Sequence, residues 1–197
     1  GDALSANTVG INNIAIGKNA MLSSTTGNDN VAVGQGALDA NTTGIDNIAI
    51  GSNALGAATI GTDNIAIGDD ALLVMTTGVN NVAVGGDALK ALTVGTGNVA
   101  IGKAALDAAT TGINNVAVGL NALGAETTGI NNIAIGTSAL LAQAGATDCI
   151  GIGLNAGALV TTGIKNIAIG SQAGDVLTTG TLNITIGVDS DPSVNSA

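Results

Sequence analysis

The sequence predicts an all-β fold, a parallel β-solenoid (β-roll) of eleven 17-residue coils. Three observations predict it. The motif Asn-Ile/Val-Ala-Ile/Val-Gly returns every 17 residues, glycine holds two fixed places in the repeat, and the apolar residues are almost all Ala, Ile, Val and Leu, with no Phe, Trp or Tyr.

The period comes first. The motif begins at Asn13, Asn30, Asn47, Asn64, Asn81, Asn98, Asn115, Asn132, Cys149, Asn166 and Asn183, without insertion or deletion. Loops between independent units would tolerate length changes. Strict spacing places each residue above its equivalent in the preceding coil. With that Asn as position 1, glycine occupies position 5 in all eleven copies (Gly17 to Gly187) and position 15 in ten (Gly10 to Gly180, with Ala146 the exception). Glycine adopts positive φ without steric penalty, so both are expected to be corners. Between them, Asn47–Ile50 and its equivalents read as a first strand, and positions 8–14, as in Ala105–Thr111, as a second extended segment. Helix is disfavoured there because each Ala-Leu stretch is short and ends in Thr-Thr-Gly.

Alternation assigns faces. The Ile/Val pair at positions 2 and 4 is expected inside the coil, with Leu at position 9 and Ala at position 8. Positions 6, 7, 10, 12 and 17 vary freely and read as solvated rim. Position 3 then points outward, so that Ala15, Ala32, Ala49, Ala66, Ala83, Ala100, Ala117, Ala134 and Ala168 form an exposed self-association strip. The position-1 residues Asn13, Asn30, Asn47, Asn64, Asn81, Asn98, Asn115, Asn132, Asn166 and Asn183 are expected to hydrogen-bond along the stack as a structural ladder. Where Ala144, Gly145 and Ala146 replace Thr-Thr-Gly and Cys149 replaces Asn, the stack should have its weakest seam.

Composition narrows function. The net charge is −10, and the only cations are four scattered lysines, Lys18, Lys90, Lys103 and Lys165, which argues against nucleic acid. No apolar run reaches transmembrane length. Gly1-Asp2-Ala3 does not read as a signal peptide, so the chain reads as a processed or excised product. Cys149 is the single cysteine, and no internal disulfide can form. Without His, Arg or Tyr no common nucleophile–base pair can be assembled, so neither catalysis nor a cofactor is expected. Gly151, Gly153 and Gly157 superficially look like a phosphate loop but are simply repeat nine. Asp29, Asp46 and Asp63 stack at position 17 of consecutive coils. A cation such as Ca²⁺ could relieve their repulsion, although carboxylate sites need more oxygens, and a solvated acidic edge is the simpler reading. Ice binding is weighed because Thr fills position 13 in ten copies. It is disfavoured because position 14, where Val9, Ile60 and Val94 alternate with Thr, reads as half-buried, leaving one outward Thr rank.

Asn98-Val-Ala-Ile-Gly-Lys-Ala-Ala-Leu106 and its equivalents resemble the head repeats of trimeric autotransporter adhesins. The longer form carrying Thr-Thr-Gly is similar to repeats of phage tail-fibre-like proteins. The resemblance runs from Ala3 to Gly187, although the adhesin repeat is shorter than 17 residues. It implies a homotrimeric, extracellular fibre or adhesin on a cell or virion surface, with a host-surface receptor as a possible partner.

Register puts Gly1 at position 6, so Ala3–Thr8 is a second segment without a first strand, whereas Asn183–Gly187 is a first strand after which Val188–Pro192 abandons the pattern. The expected organisation is a single solenoid over residues 1–187 with a short polar tail, 188–197. The complementary half-coils suggest head-to-tail polymerisation, against which Pro192 and its polar surroundings read as a cap. The functional expectation is a non-enzymatic subunit of an extracellular fibre, filament or surface appendage that associates with itself as a trimer or a head-to-tail polymer.

Overall fold

β-branched residues favour extended backbone, and positions 2–4 of every repeat form a three-residue strand in the computed structural model, which describes residues 2–191. These are β1 (Ile14–Ile16), β2 (Val31–Val33), β3 (Ile48–Ile50), β4 (Ile65–Ile67), β5 (Val82–Val84), β6 (Val99–Ile101), β7 (Val116–Val118), β8 (Ile133–Ile135), β9 (Ile150–Ile152), β10 (Ile167–Ile169) and β11 (Ile184–Ile186). All pair in parallel in one eleven-stranded sheet whose order follows the sequence. The register is one repeat throughout: Ile48 pairs with Ile65 and Ala49 with Ala66. Each neighbouring pair of coils is joined by bonds donated in both directions, as in Val31 N–H to the Asn47 carbonyl (2.8 Å) and Gly51 N–H to the Val33 carbonyl (2.8 Å). A thinner line of parallel bridges joins position 16 from Ile45 through Thr62, Val79, Thr96, Ile113 and Ile130 to Thr147. The predicted solenoid is therefore the observed fold.

The second strand is not. Positions 6–11 form turns, built on left-handed residues at positions 7 and 9, with another at position 17: Asn53 (φ 53°), Leu55 (φ 52°) and Asp63 (φ 57°) in one coil. Asn and Asp tolerate this region best among non-glycine residues, which explains why they dominate positions 7 and 17. Those positions are selected for conformation as well as for solvent. The left-handed Leu resolves a difficulty that an extended chain cannot, since Ala at 8 and Leu at 9 are both buried although adjacent strand residues point oppositely.

The two faces of the strand are the reverse of the expectation. Ala32, Ala49, Ala66, Ala83, Ala100, Ala117 and Ala134 are fully buried, Ala168 is nearly so and Ala15 is half-buried. The Ile and Val at positions 2 and 4 point outward, with Ile101 42% exposed. The coil is too narrow for β-branched residues opposite Leu. Where Gly151 and Gly157 depart from the pattern, the space that a Gly151 Cβ would fill is 2.6 Å from Leu140 Cγ. Position 3 thus packs against the Leu wall, and the Ala strip is core.

Position 5 is a positive-φ corner as expected; Gly119 has φ 136°, and a Cβ there would lie 2.6 Å from the Gly136 carbonyl carbon. Position 15 is glycine for a different reason, because its φ is ordinary and the constraint is crowding. A Cβ at Gly95 would lie 2.5 Å from the Gly112 carbonyl oxygen and 3.0 Å from Asn98 Nδ2. Position 12, expected on the rim, is interior: Ser24, Asn41, Ala58, Met75, Leu92, Ala109, Glu126, Gln143 and Val160 are all buried.

The coil register also continues past residue 187. Gly174 N–H donates to the Ser190 carbonyl (2.8 Å) and Asp189 N–H to the Ser171 carbonyl (2.9 Å), so the beginning of the expected tail is part of the last coil. Gly1 and residues 192–197, including Pro192, lie outside the described residues.

Candidate functional site

The Asn ladder forms, and it does more than bridge successive coils. Asn47 Nδ2 donates to Asn30 Oδ1 (3.1 Å) and to the Gly61 carbonyl (2.7 Å), while Asn47 N–H also donates to Asn30 Oδ1 (3.0 Å). One buried side chain therefore satisfies a backbone group of the neighbouring coil and ties the strand wall to the opposite wall of its own. The pattern is continuous from Asn13 to Asn132 and resumes between Asn166 and Asn183. Burial makes each bond costly to lose.

At the irregular repeat Cys149 N–H still donates to Asn132 Oδ1 (2.9 Å), and the thiol reaches the Gly163 carbonyl (3.2 Å). The upward chain of side-chain bonds stops there. Cys149 is free and buried. Burial pushes its thiol up, opposed by the Asn166 N–H facing the sulfur and by the Gln143 amide, which lies beside it without ordinary hydrogen-bond geometry. The two substitutions in this repeat explain each other. At nine of the ten position-15 glycines a Cβ would lie between 2.5 and 3.2 Å from the Asn Nδ2 three residues later. Ala146 is the only position-15 residue with a Cβ, and Cys149 is the only position-1 residue without that amide nitrogen.

Next to this seam two polar side chains stack in the interior. Glu126 Oε1 accepts from the N–H groups of Thr128 (3.0 Å), Gly129 (2.6 Å) and Gly145 (2.7 Å), while its Oε2 and both amide atoms of Gln143 have no partner among the described residues. Asn41 caps Gly44 N–H in the same way (3.0 Å), so the Glu126 contact is a variant of a recurrent structural turn.

The acidic residues remain outside. Asp29, Asp46 and Asp63 are exposed and left-handed, and Asp29 accepts from Asn12 Nδ2 (2.8 Å). Among the described residues no group of three or more Cys, Asp or Glu is placed to hold a metal. Lys90 bridges Asp70 (3.0 Å) and Asp87 (2.8 Å). Its hydrogen bond holds the Asp70 carboxyl below the usual range, helped by Asn53. Partial burial pushes Asp107 up.

Two outer faces result. One is the sheet face, where Ile and Val at positions 2 and 4 form unbroken columns along β1 to β11. The other carries positions 14 and 16, both outward because Gly at 15 points in; Ile60 is 53% and Val94 49% exposed. Position 14 is thus exposed and not half-buried, and position 13 is the inner Thr. Its hydroxyls donate to the next coil's backbone, as from Thr42 to the Thr59 carbonyl (3.0 Å). The position-14/16 pairs read Thr43/Ile45, Ile60/Thr62, Thr77/Val79, Val94/Thr96, Thr111/Ile113 and Thr128/Ile130, one Thr and one aliphatic β-branched residue in each of six consecutive coils. Sequence reasoning missed this second face, although the exchange of Thr between the two columns was its available signal.

Comparison with protein-family models, curated proteins and solved structures gives no match.

Proposed function

We propose that the chain is a non-enzymatic structural subunit of an extracellular fibre, filament or surface appendage, and that it assembles by packing its sheet face against further copies of itself. The observation that carries this reading is the unbroken double column of outward Ile and Val along an in-register eleven-stranded sheet. At about 4.8 Å per strand the face is about 50 Å long, and two residues with their side chains make it about 10 Å wide. Two such faces bury on the order of 1,000 Å² together, the lower bound for a specific interface. One face, at about 500 Å², is as large as the largest apolar patch of a typical monomer, and patches of that size often mark interaction sites.

The motif resemblance to adhesin heads and tail-fibre repeats supports an extracellular setting, and a trimer would bring three sheet faces around one axis. An adhesin head or viral tail-fibre segment that meets a host receptor is the alternative within this class. End-to-end growth is a compatible second mode in which further coils extend the sheet beyond β1 or β11. Electron micrographs of the purified protein test the proposal. Bundled rods or threads support it, and single discrete rods at high protein concentration contradict it.

A further inference from the structure

We infer that the face formed by positions 14 and 16 is an ice-binding surface, a function separate from assembly through the sheet face. The occupant follows from the chemistry of the face. It carries no charged residue, and each of its six central coils pairs one hydroxyl with one aliphatic β-branched side chain. Where position 14 is Ile60 or Val94, position 16 becomes Thr62 or Thr96, so the hydroxyl moves between columns without leaving the face. A core constraint does not require that exchange, because both columns are outside.

The hydroxyls are also available. Thr42, Thr76 and Thr110 at position 13 donate to backbone carbonyls of the next coil at 3.0, 3.3 and 3.1 Å. Among the described residues Thr43, Thr77 and Thr111 at position 14 make no such bond and present their hydroxyls to solvent. Spacing supplies the rest. Parallel bridges at position 16 keep the coils in register from Ile45 to Thr147, so side chains repeat at about 4.8 Å along the stack. That distance lies close to a repeat of water oxygens on a prism plane of hexagonal ice. Methyl groups restrict the orientation of the water between the ranks, and the hydroxyls anchor that water to the protein. A purely aliphatic face such as the Ile/Val columns lacks the anchors and suits a second copy instead.

The test is thermal hysteresis and ice-recrystallisation inhibition by the purified protein. Wild type is expected to show both and to shape ice crystals. A Thr77→Lys/Thr111→Lys variant is expected to lose them while keeping its circular dichroism and melting temperature, and Val84→Lys on the sheet face is expected to retain them. Absence of both activities in wild type overturns the inference. So does equal loss in Val84→Lys, or a change of assembly mass in the Thr variant, which would make this face a protein contact. None of these results bears on fibre formation through the sheet face, which the micrographs decide.

Discussion

Leu140 fills the space that Gly151 leaves empty. A Cβ on Gly151 would lie 2.6 Å from Leu140 Cγ, and one on Gly157 would lie 2.8 Å from Leu140 Cδ2. Repeat nine thus lacks two of the core side chains of the pattern, the position-3 Ala and the position-9 Leu, and borrows a side chain from the coil before it. Gly151→Ala should cost about 1–3 kcal/mol through overpacking, although it restores the consensus residue. Combined with Leu140→Ala it should cost less than the sum of the two changes. Thermal or denaturant melts of the four proteins measure that coupling.

The Ala146–Cys149 relation makes a second non-additive pair. Cys149→Asn alone returns the ladder residue but brings its amide against the Ala146 Cβ, so it should not stabilise the chain. Cys149→Asn with Ala146→Gly should raise stability by about 1–3 kcal/mol, the cost of the buried groups that the ladder would satisfy again. Hydrogen exchange near Asn166 should slow in the double variant only.

Asn98→Ala should be among the most damaging ladder substitutions. It removes the bonds from Asn98 to Asn81 Oδ1 (3.0 Å) and the Gly112 carbonyl (2.7 Å), and leaves Asn115 N–H without its acceptor. At about 1–3 kcal/mol per buried orphan, the melting temperature should fall well below that of an exposed control such as Thr77→Ser.

Asp107 gives a pH test with a defined sign. Burial raises its pKa from the ordinary 3.8, so the folded state holds the proton more tightly than the unfolded chain. Stability is therefore reduced as pH rises from 3.8 through the folded pKa, and the full penalty is present at neutral pH. Asp107→Asn should raise the melting temperature at pH 7 by a small amount, since the group is partly solvated. The difference should vanish below the unfolded pKa. Asp70 runs oppositely, because its lowered pKa contributes stability above 3.8 that is lost as pH falls through the folded value.

The period, the parallel register, the Asn ladder and the position-5 corners were legible in the sequence because each reports the identity of stacked neighbours. The choice of faces was not. Alternation states that Ile48 and Ile50 oppose Ala49, but not which side is inside. That depends on the room left by Leu at position 9 on the opposite wall, and the position of that wall depends on the left-handed turns at 7 and 9. Position 12 was misread for a related reason. Met75, Glu126 and Gln143 vary like surface residues because the interior beside the ladder accepts both apolar and polar side chains. At position 15 glycine was legible as a constraint, but crowding by the Asn amide and positive φ leave the same trace in a sequence.

Sedimentation equilibrium tests the central claim, that the outward Ile and Val columns are the assembly surface. Wild type should sediment as a multiple of 18.6 kDa. An Ile67→Lys/Ile101→Lys/Ile135→Lys variant should return to the single-chain mass with unchanged circular dichroism. A wild type that stays at 18.6 kDa at high concentration, or a variant that assembles as wild type does, would contradict the account.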